Sequence, residues 1–139
     1  MAIPSPGGKF PAALEVLIID DEPLIRWSLR RGLILRGHHV AEAGSGADAL
    51  RELAGTPDRF AVVILDYRLP DVDNLSLLRE IRAIAPSTAV LMMTAYSDDG
   101  MRDQAVALGA RTVIDKPFQV SAVVSLVESP PPMRFQPHV

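Results

Sequence analysis

Two hydrophobic patterns alternate along the middle of the chain, and each predicts a different element. Short apolar runs without polar interruption are typical of strands that are buried on both faces. Three such runs and two shorter, more polar ones occupy residues 14–19, 39–43, 60–66, 88–94 and 111–114. After each run, apolar residues recur three or four positions apart, which predicts a helix. The pattern therefore predicts five strand–helix units.

Residues with special backbone or capping properties mark the ends of the predicted helices. Pro23 suits the first turn of the first helix, and Ser45 can cap the second. Gly37 and Gly109 can end the first and fourth helices in a left-handed conformation. Strands and helices that alternate in this way predict a doubly wound α/β domain, in which helices cover both faces of a parallel sheet. Ligands of such domains bind beyond the carboxyl ends of the strands.

Length, composition and charge fit one globular domain between a short leader and a short tail. With 139 residues, 48% of them hydrophobic, the chain can bury a sizeable core. We expect residues 1–11 to be a flexible leader, 12–128 the domain, and the proline-rich 129–139 a tail or the start of a linker. The chain has no cysteine, a net charge of -3 and no apolar run near the length of a membrane span. These features predict a cytoplasmic protein that binds neither membranes nor, directly, nucleic acid.

Polar side chains occur where the predicted strands end. Asp20 and Asp21 follow the first strand, Asp66 and Thr94 end the third and fourth, and Lys116 follows the fifth. Each has an ordinary alternative explanation, since aspartates cap helices, threonines favour strands and lysines are commonly solvated. Because the carboxyl ends of parallel strands meet at one edge of a sheet, we nevertheless expect these groups to form one site.

The expected site combines acids with a hydroxyl and an ammonium group. Three carboxylates at one edge would repel one another unless a cation lies between them. Oxygen ligands favour a hard cation such as Mg²⁺ or Mn²⁺. A carboxylate can also act as a nucleophile and form an acyl phosphate, whose oxygens a metal ion and a lysine would neutralise.

Four short motifs together resemble the receiver domain of two-component response regulators. They are the Asp20–Asp21 pair, "LDYRLP" at 65–70, "MTA" at 93–95 and "DKPF" at 115–118. The resemblance covers roughly residues 12–128 and implies a flavodoxin-like sheet with five parallel strands in the order 2-1-3-4-5. It also implies that Asp66 accepts a phosphoryl group from a sensor histidine kinase or a histidine phosphotransfer protein.

The resemblance implies roles for the other site residues. Asp21, Asp66 and the backbone carbonyl of Arg68 would bind Mg²⁺ directly, and Asp20 would help through a water molecule. Thr94 and Lys116 would each bind a phosphoryl oxygen, and the Lys116–Pro117 peptide bond is often cis in this family. Such a domain is a switch and not an enzyme, apart from catalysing its own phosphorylation and dephosphorylation. Its output surface, formed by the fourth helix, fifth strand and fifth helix, often forms a homodimer.

Two positions depart from the family pattern. Asn74 occupies the position of a small residue, commonly glycine, and Val113 occupies that of an aromatic switch residue. Val113 leaves open a pseudo-receiver that is not phosphorylated and only binds partners. A phosphohydrolase with an aspartyl nucleophile is a second alternative, which the arginine two positions after Asp66 disfavours.

Predictions also follow for five further residues: Arg68, Tyr96, Trp27, His38 and His39. Arg68 and Tyr96 lie two positions after Asp66 and Thr94, where they would crowd a water that attacks an acyl phosphate, so we predict slow self-dephosphorylation. Trp27 could lie in the core or face a partner, and a core or half-buried position is the favoured prediction. The neighbouring His38 and His39 should point to opposite faces of a strand and receive no functional role.

Overall fold

Five strands and five helices alternate in the computed structural model, which describes residues 12–73 and 75–129. They are β1 (Glu15–Ile19), α1 (Pro23–Leu35), β2 (His39–Ala43), α2 (Gly46–Ala54), β3 (Val62–Asp66), α3 (Ser76–Ile84), β4 (Ala89–Thr94), α4 (Asp99–Ala107), β5 (Ala110–Asp115) and α5 (Val120–Glu128). The strands form one parallel sheet in the order β2-β1-β3-β4-β5. The predicted fold class and strand order are therefore confirmed.

The element boundaries differ little from those that the hydrophobic pattern predicts. The largest differences are two residues: β3 begins at Val62, and α3 begins at Ser76 and not at position 74. The predictions for Asn74, for the leader and for the tail beyond Ser129 lie outside the described residues. No helix in the described ranges is long and apolar enough to cross a membrane.

Alternate residues of each inner strand enter two different hydrophobic layers. Leu17 and Ile19 of β1 pack in the layer beneath α2, α3 and α4, whereas Val16 and Ile18 pack in the layer beneath α1 and α5. Since successive side chains of a strand point to opposite faces, a strand covered on both sides must be apolar throughout. This is why the pattern in β1, β3 and β4 is continuous and not alternating.

Caps and turns end the helices largely as predicted. Pro23 is the first residue of α1, and the Ser45 hydroxyl accepts a hydrogen bond from the Asp48 amide at 3.1 Å. Gly37 and Gly109 have φ angles of 89° and 109°, which side chains with a β-carbon rarely adopt. After each of these two turns the chain enters the next strand, β2 or β5.

The amino-terminal edge of the sheet holds a polar cluster that the sequence did not predict. His38 is buried, its Nδ1 accepts from the Leu14 amide at 3.1 Å, and its Nε2 lies 2.7 Å from Glu128 at the end of α5. Because Nδ1 is an acceptor, Nε2 carries the proton that Glu128 binds. Arg36 donates two further hydrogen bonds to the Glu128 carboxylate. His38 therefore has a structural role at the edge of the sheet opposite to the carboxyl ends of the strands.

One prediction about the core was wrong. The side chain of Trp27 is 58% exposed on the outer side of α1, where Arg31 lies 5.8 Å from the ring centroid. Leu29 and Leu33 instead provide the fully buried side chains of this helix. Trp27 lies outside the buried stripe of α1 that helical spacing predicts.

Candidate functional site

The carboxyl ends of β1, β3, β4 and β5 open into a cleft of about 290 Å³. Eight residues line it: Asp21, Glu22, Asp66, Arg68, Thr94, Ala95, Tyr96 and Lys116. Asp20 lies directly beside the cleft and contacts Lys116. The structure therefore brings all the predicted site residues to one edge of the sheet, as parallel strand ends require.

Three carboxylates converge at this edge. Asp20, Asp21 and Asp66 each offer an oxygen, and these oxygens lie within 4.8 Å of one another. Asp20 and Asp66 are buried, with 0% and 6% of their surface exposed, whereas Asp21 is exposed. This set of hard oxygen donors suits a divalent cation such as Mg²⁺, which prefers carboxylates and water as ligands. The acidic group therefore fits such an ion.

Asp20 and Asp21 differ in how freely they could bind an ion. Oδ1 of Asp20 accepts from the Glu22 amide at 2.8 Å, and Oδ2 accepts from the Lys116 ammonium at 3.1 Å. Both oxygens of Asp20 thus already have protein donors. Asp21 faces the cleft with an exposed carboxylate, so of the two neighbours it is the better direct ligand.

Lys116 faces three carboxylates at once. Its Nζ lies 3.1 Å from Asp20, 3.3 Å from Asp66 and 3.5 Å from Glu22. Burial alone would lower the pKa of Lys116, but Asp20 and Asp66 together raise it above its ordinary value. Lys116 is therefore a fixed positive charge in the cleft.

The contact between Glu22 and Lys116 could not be predicted from the sequence. Glu22 directly follows the acidic pair, but the lysine that it contacts lies 94 positions later.

One ammonium group does not balance the buried acids. Burial and, secondarily, repulsion from Asp20 raise the pKa of Asp66 to about 6, although Lys116 and the Arg68 amide oppose the rise. Burial also raises the pKa of Asp20, against the hydrogen bond from the Glu22 amide and the charge of Lys116. The site thus has excess negative charge at neutral pH, which an additional cation would offset.

Thr94, Arg68 and Tyr96 form the far side of the cleft. Thr94 is buried, and its Oγ1 accepts a hydrogen bond from the Tyr96 amide at 3.0 Å. The Arg68 guanidinium lies 5.1 Å from the centroid of the Tyr96 ring, a cation–π distance. The two exposed side chains therefore contact each other on this side of the cleft and link the loops that follow β3 and β4.

Two further residues hold the cleft in place, and the sequence analysis missed both. Arg26 of α1 donates to the Asp20 carbonyl at 2.6 Å and to Glu42 of β2 at 3.0 Å. Asp71 accepts from the Gly46 and Ala47 amides at the start of α2, at 2.8 and 3.0 Å. Short-range patterns could not reveal the contacts with Glu42 and with α2, because those partners lie 16 to 25 residues apart along the chain.

The hydrogen bonds to Asp71 fix the loop that follows the buried acid Asp66. They keep the pKa of the Asp71 carboxyl below its ordinary value, as expected for a carboxylate at a helix amino terminus. A side chain at Gly46 would collide with Val72, so the glycine permits the close approach of loop and helix. The middle of this loop is thus attached to the start of α2.

Comparisons with known proteins agree with this geometry. A family model described as "Response regulator receiver domain" matches residues 16–128, which is most of the chain. The chain belongs to this family. The Lys116–Pro117 peptide bond of this receiver domain is cis, as the resemblance implied. Receiver domains are phosphoacceptors and not enzymes in the usual sense.

Individual relatives show how much of a larger protein the receiver domain spans. The DNA-binding transcriptional regulator NtrC of Escherichia coli (strain K12) is 39% identical over 114 residues, which are 81% of this chain and 24% of NtrC. The transcriptional regulatory protein KdpE of Mycobacterium tuberculosis (strain ATCC 25618 / H37Rv) is 41% identical over 103 residues, 74% of this chain and 44% of KdpE. The chain therefore spans less than half the length of either relative.

A solved structure supports the assignment at the level of the fold. A response regulator protein from Burkholderia pseudomallei, with a phosphorylated aspartic acid, a calcium ion and citrate, aligns with a TM-score of 0.75. It is 30% identical to this chain, and the alignment covers 84% of this chain and 67% of that one. The receiver fold that the motifs implied is therefore confirmed by sequence and by structure.

In metal-free protein, Asp66→Asn should raise the free energy of unfolding near neutral pH by about 1 to 3 kcal/mol, since it removes a poorly balanced buried charge. The folded protein holds the Asp66 proton more tightly than the unfolded chain, because the pKa rises from 3.8 to about 6. Ionisation of Asp66 therefore hardly lowers the free energy of unfolding below about pH 4. Above about pH 6 it lowers that free energy by its full amount. Urea unfolding in EDTA, at about pH 4 and pH 7.5, measures the difference.

The matched control is Asp103→Asn, which neutralises an exposed carboxylate on α4. It should change the unfolding free energy little at either pH. Equal stability of Asp66→Asn and the unchanged protein at the higher pH would show that the buried acids are already balanced without metal.

Proposed function

We propose that this receiver domain is the phosphoacceptor of a two-component phosphorelay and that Asp66 is the residue phosphorylated. The observation that carries the proposal is the position of Asp66, buried at the end of β3 between an ammonium group, a hydroxyl group and two further carboxylates. A sensor histidine kinase or a histidine phosphotransfer protein would supply the phosphoryl group. The domain would then act as a switch with a self-catalysed phosphorylation cycle.

The proposed reaction is an attack by the Asp66 carboxylate on the phosphorus atom of a phosphohistidine. Oδ1 of Asp66 accepts from the Arg68 amide at 3.3 Å and faces Lys116, so Oδ2 is the proposed nucleophile. The new Oδ2–P bond replaces the P–N bond, and the imidazole leaves with the electrons of that bond. Lys116 would then bind one phosphoryl oxygen and the Thr94 hydroxyl another.

Mg²⁺, or Mn²⁺ in its place, is the proposed cofactor. Asp21, Asp66 and the Arg68 carbonyl would hold the ion directly, and Asp20 would act through a water because both of its oxygens already have donors. The bound ion would neutralise negative charge on the phosphoryl oxygens. The calcium ion and phosphorylated aspartic acid of the Burkholderia pseudomallei protein support this assignment by analogy.

The output is proposed to involve the surface formed by α4, β5 and α5, through which the protein would form a homodimer. A cytoplasmic location, and the absence of direct contacts of this domain with nucleic acid or a membrane, remain predictions. The alternative is a pseudo-receiver, which Val113 in place of the usual aromatic residue keeps open. The intact set of Asp66, Thr94 and Lys116 in one cleft favours the phosphoacceptor.

The first test is phosphorylation by a small donor such as acetyl phosphate in the presence of Mg²⁺. The protein should gain the mass of one phosphoryl group, and Asp66→Asn should gain none because the amide is a poor nucleophile. Intact-mass spectrometry measures the gain, and circular dichroism checks that the variant is folded. Asp103→Asn should be labelled like the unchanged protein. Full labelling of Asp66→Asn would assign the acceptor to another residue.

The second test concerns the metal. A ligand that binds only the folded state stabilises it, so Mg²⁺ at about ten times its Kd should raise the free energy of unfolding by about 1.4 kcal/mol. Asp21→Ala should lose most of this gain, while Asp58→Ala, which removes an exposed acid in the turn after α2, should keep it. Thermal unfolding with and without Mg²⁺ measures both. The same thermal shift in Asp21→Ala and the unchanged protein would refute the proposed ligand set.

The third test concerns the lifetime of the acyl phosphate. Arg68 and Tyr96 line the cleft and contact each other, so they should hinder the water that attacks Asp66-phosphate. Neither a guanidinium nor a phenol is an effective general base for activating that water. The double variant Arg68→Asn/Tyr96→Ala should shorten the half-life of the phosphorylated protein several-fold or more.

Decay of the phosphorylated species after removal of the donor, with Mg²⁺ present, gives this half-life. Arg79→Asn, a change of an exposed arginine on α3, is the matched control and should leave the decay unchanged. A half-life in the double variant that is equal or longer would show that these two side chains do not limit access of water.

A further inference from the structure

The side chain at position 113 cannot carry a signal from the cleft to the surface by changing its rotamer. Val113 of β5 is 8% exposed and packs in the hydrophobic layer beneath α2, α3 and α4. A valine is short and stiff at its only side-chain torsion, so it cannot swing between the interior and the surface. If phosphorylation of Asp66 is to alter α4, another group must transmit the change.

Three polar side chains beside Val113 form a closed ring of hydrogen bonds. The Ser97 hydroxyl donates to Oδ1 of Asp115 at 2.5 Å, and Nη2 of Arg102 donates to Oδ2 of Asp115 at 2.6 Å. The same Nη2 lies 3.0 Å from the Ser97 hydroxyl, which accepts from it. Nη1 of Arg102 also donates to the Val113 carbonyl at 3.3 Å. The ring thus links the loop after β4, the helix α4 and the strand β5.

The ring is charged and lies at the surface. The hydrogen bond from Ser97, together with the charge and hydrogen bond of Arg102, keeps the pKa of the Asp115 carboxyl below its ordinary value. The Asp115 side chain is 60% exposed and that of Arg102 is 35% exposed. Contacts of exposed ions are weak because water competes for both partners. A small displacement of one member is therefore sufficient to break the ring.

Both sides of the ring connect to groups that would bind the phosphoryl oxygens. Asp115 precedes Lys116 and pairs in the sheet with Thr94, whose carbonyl accepts from the Lys116 amide at 2.7 Å. Ser97 follows Thr94 by three positions, and the Tyr96 amide between them donates to the Thr94 hydroxyl at 3.0 Å. The ring therefore spans the two strand ends that carry Thr94 and Lys116.

A threonine hydroxyl can donate one hydrogen bond while it accepts others. Thr94 can therefore donate to a phosphoryl oxygen and still accept from the Tyr96 amide, so that residues 95–97 follow when Thr94 moves towards the cleft. The backbone of Asp115 is held by its pairing with β4. Movement of Ser97 relative to Asp115 would then break their hydrogen bond.

We propose that Ser97, Arg102 and Asp115 form a polar latch that holds α4 in its resting position and opens when Thr94 binds the phosphoryl group on Asp66. The latch does the work for which the family pattern has an aromatic residue at position 113. It rests on the proposed function, because the signal that opens it is phosphorylation of Asp66. Opening frees Arg102 from Asp115 and loosens the contact of α4 with β5.

The test compares the backbone amide resonances of α4, residues 99–107, before and after the site is loaded with beryllofluoride and Mg²⁺. In the unchanged protein, the α4 amides should shift on loading. In Arg102→Ala and in Asp115→Asn, they should already lie near the loaded positions beforehand. The further shift on loading should then be reduced about threefold or more, the scale expected when a coupling element is removed.

Two control variants make the same changes of charge at residues outside the latch. Arg79→Ala removes an exposed arginine of α3, and Asp103→Asn neutralises an exposed acid on α4 itself. Both should show the full shift of the α4 amides. The amides of Asp66 and Arg68 report independently whether the site is loaded, and Arg102→Ala and Asp115→Asn should still load.

The outcomes separate the latch from the proposed function. If the unchanged protein loads but its α4 amides do not shift, or if both latch variants respond as fully as the controls, the latch is wrong while the phosphoacceptor proposal stands. If acetyl phosphate does not label the protein and beryllofluoride does not load it, the phosphoacceptor proposal fails and the latch with it.

Discussion

The burial of Asp20 and Asp66 against one ammonium group is the constraint on which the rest of the structure depends. Two carboxylates at the ends of neighbouring strands repel each other, and Lys116 offsets only part of that repulsion. The strands stay together because β1 and β3 are apolar on both faces and lie between two continuous hydrophobic layers. The core therefore holds a charge arrangement that would be unstable by itself, and that arrangement suits the cleft to an additional cation.

Most of the fold and the main members of the site could be predicted because they depend on local patterns. A continuous apolar run indicates a strand covered on both faces, and parallel strands bring Asp66, Thr94 and Lys116 to one edge. The contacts of Arg26 and His38 could not be predicted, since their partners are distant in sequence and depend on how the helices pack. Exposure of Trp27 was missed for a related reason: a large side chain is buried only where a neighbouring element covers it.

Val113, which replaces the aromatic residue of the family pattern, packs in the hydrophobic layer beneath α2, α3 and α4. Arg68 and Tyr96 line the cleft and contact each other. These three side chains are separate from the acids and from Lys116. The proposed chemistry and the proposed control of access and output therefore depend on different side chains, so that one could vary while the other is kept.

The attachment of Asp71 to α2 has a consequence for how this domain could change during evolution. The segment from Asp66 to Asp71 is fixed at one end by the sheet and at the other by the amides of Gly46 and Ala47. Its span is therefore set by β3 and α2, which pack in the same hydrophobic layer. Substitutions within it preserve that span, whereas an inserted or deleted residue would pull Asp71 off the helix or distort the strand end. We therefore expect homologues with this attachment to differ here in sequence and not in loop length.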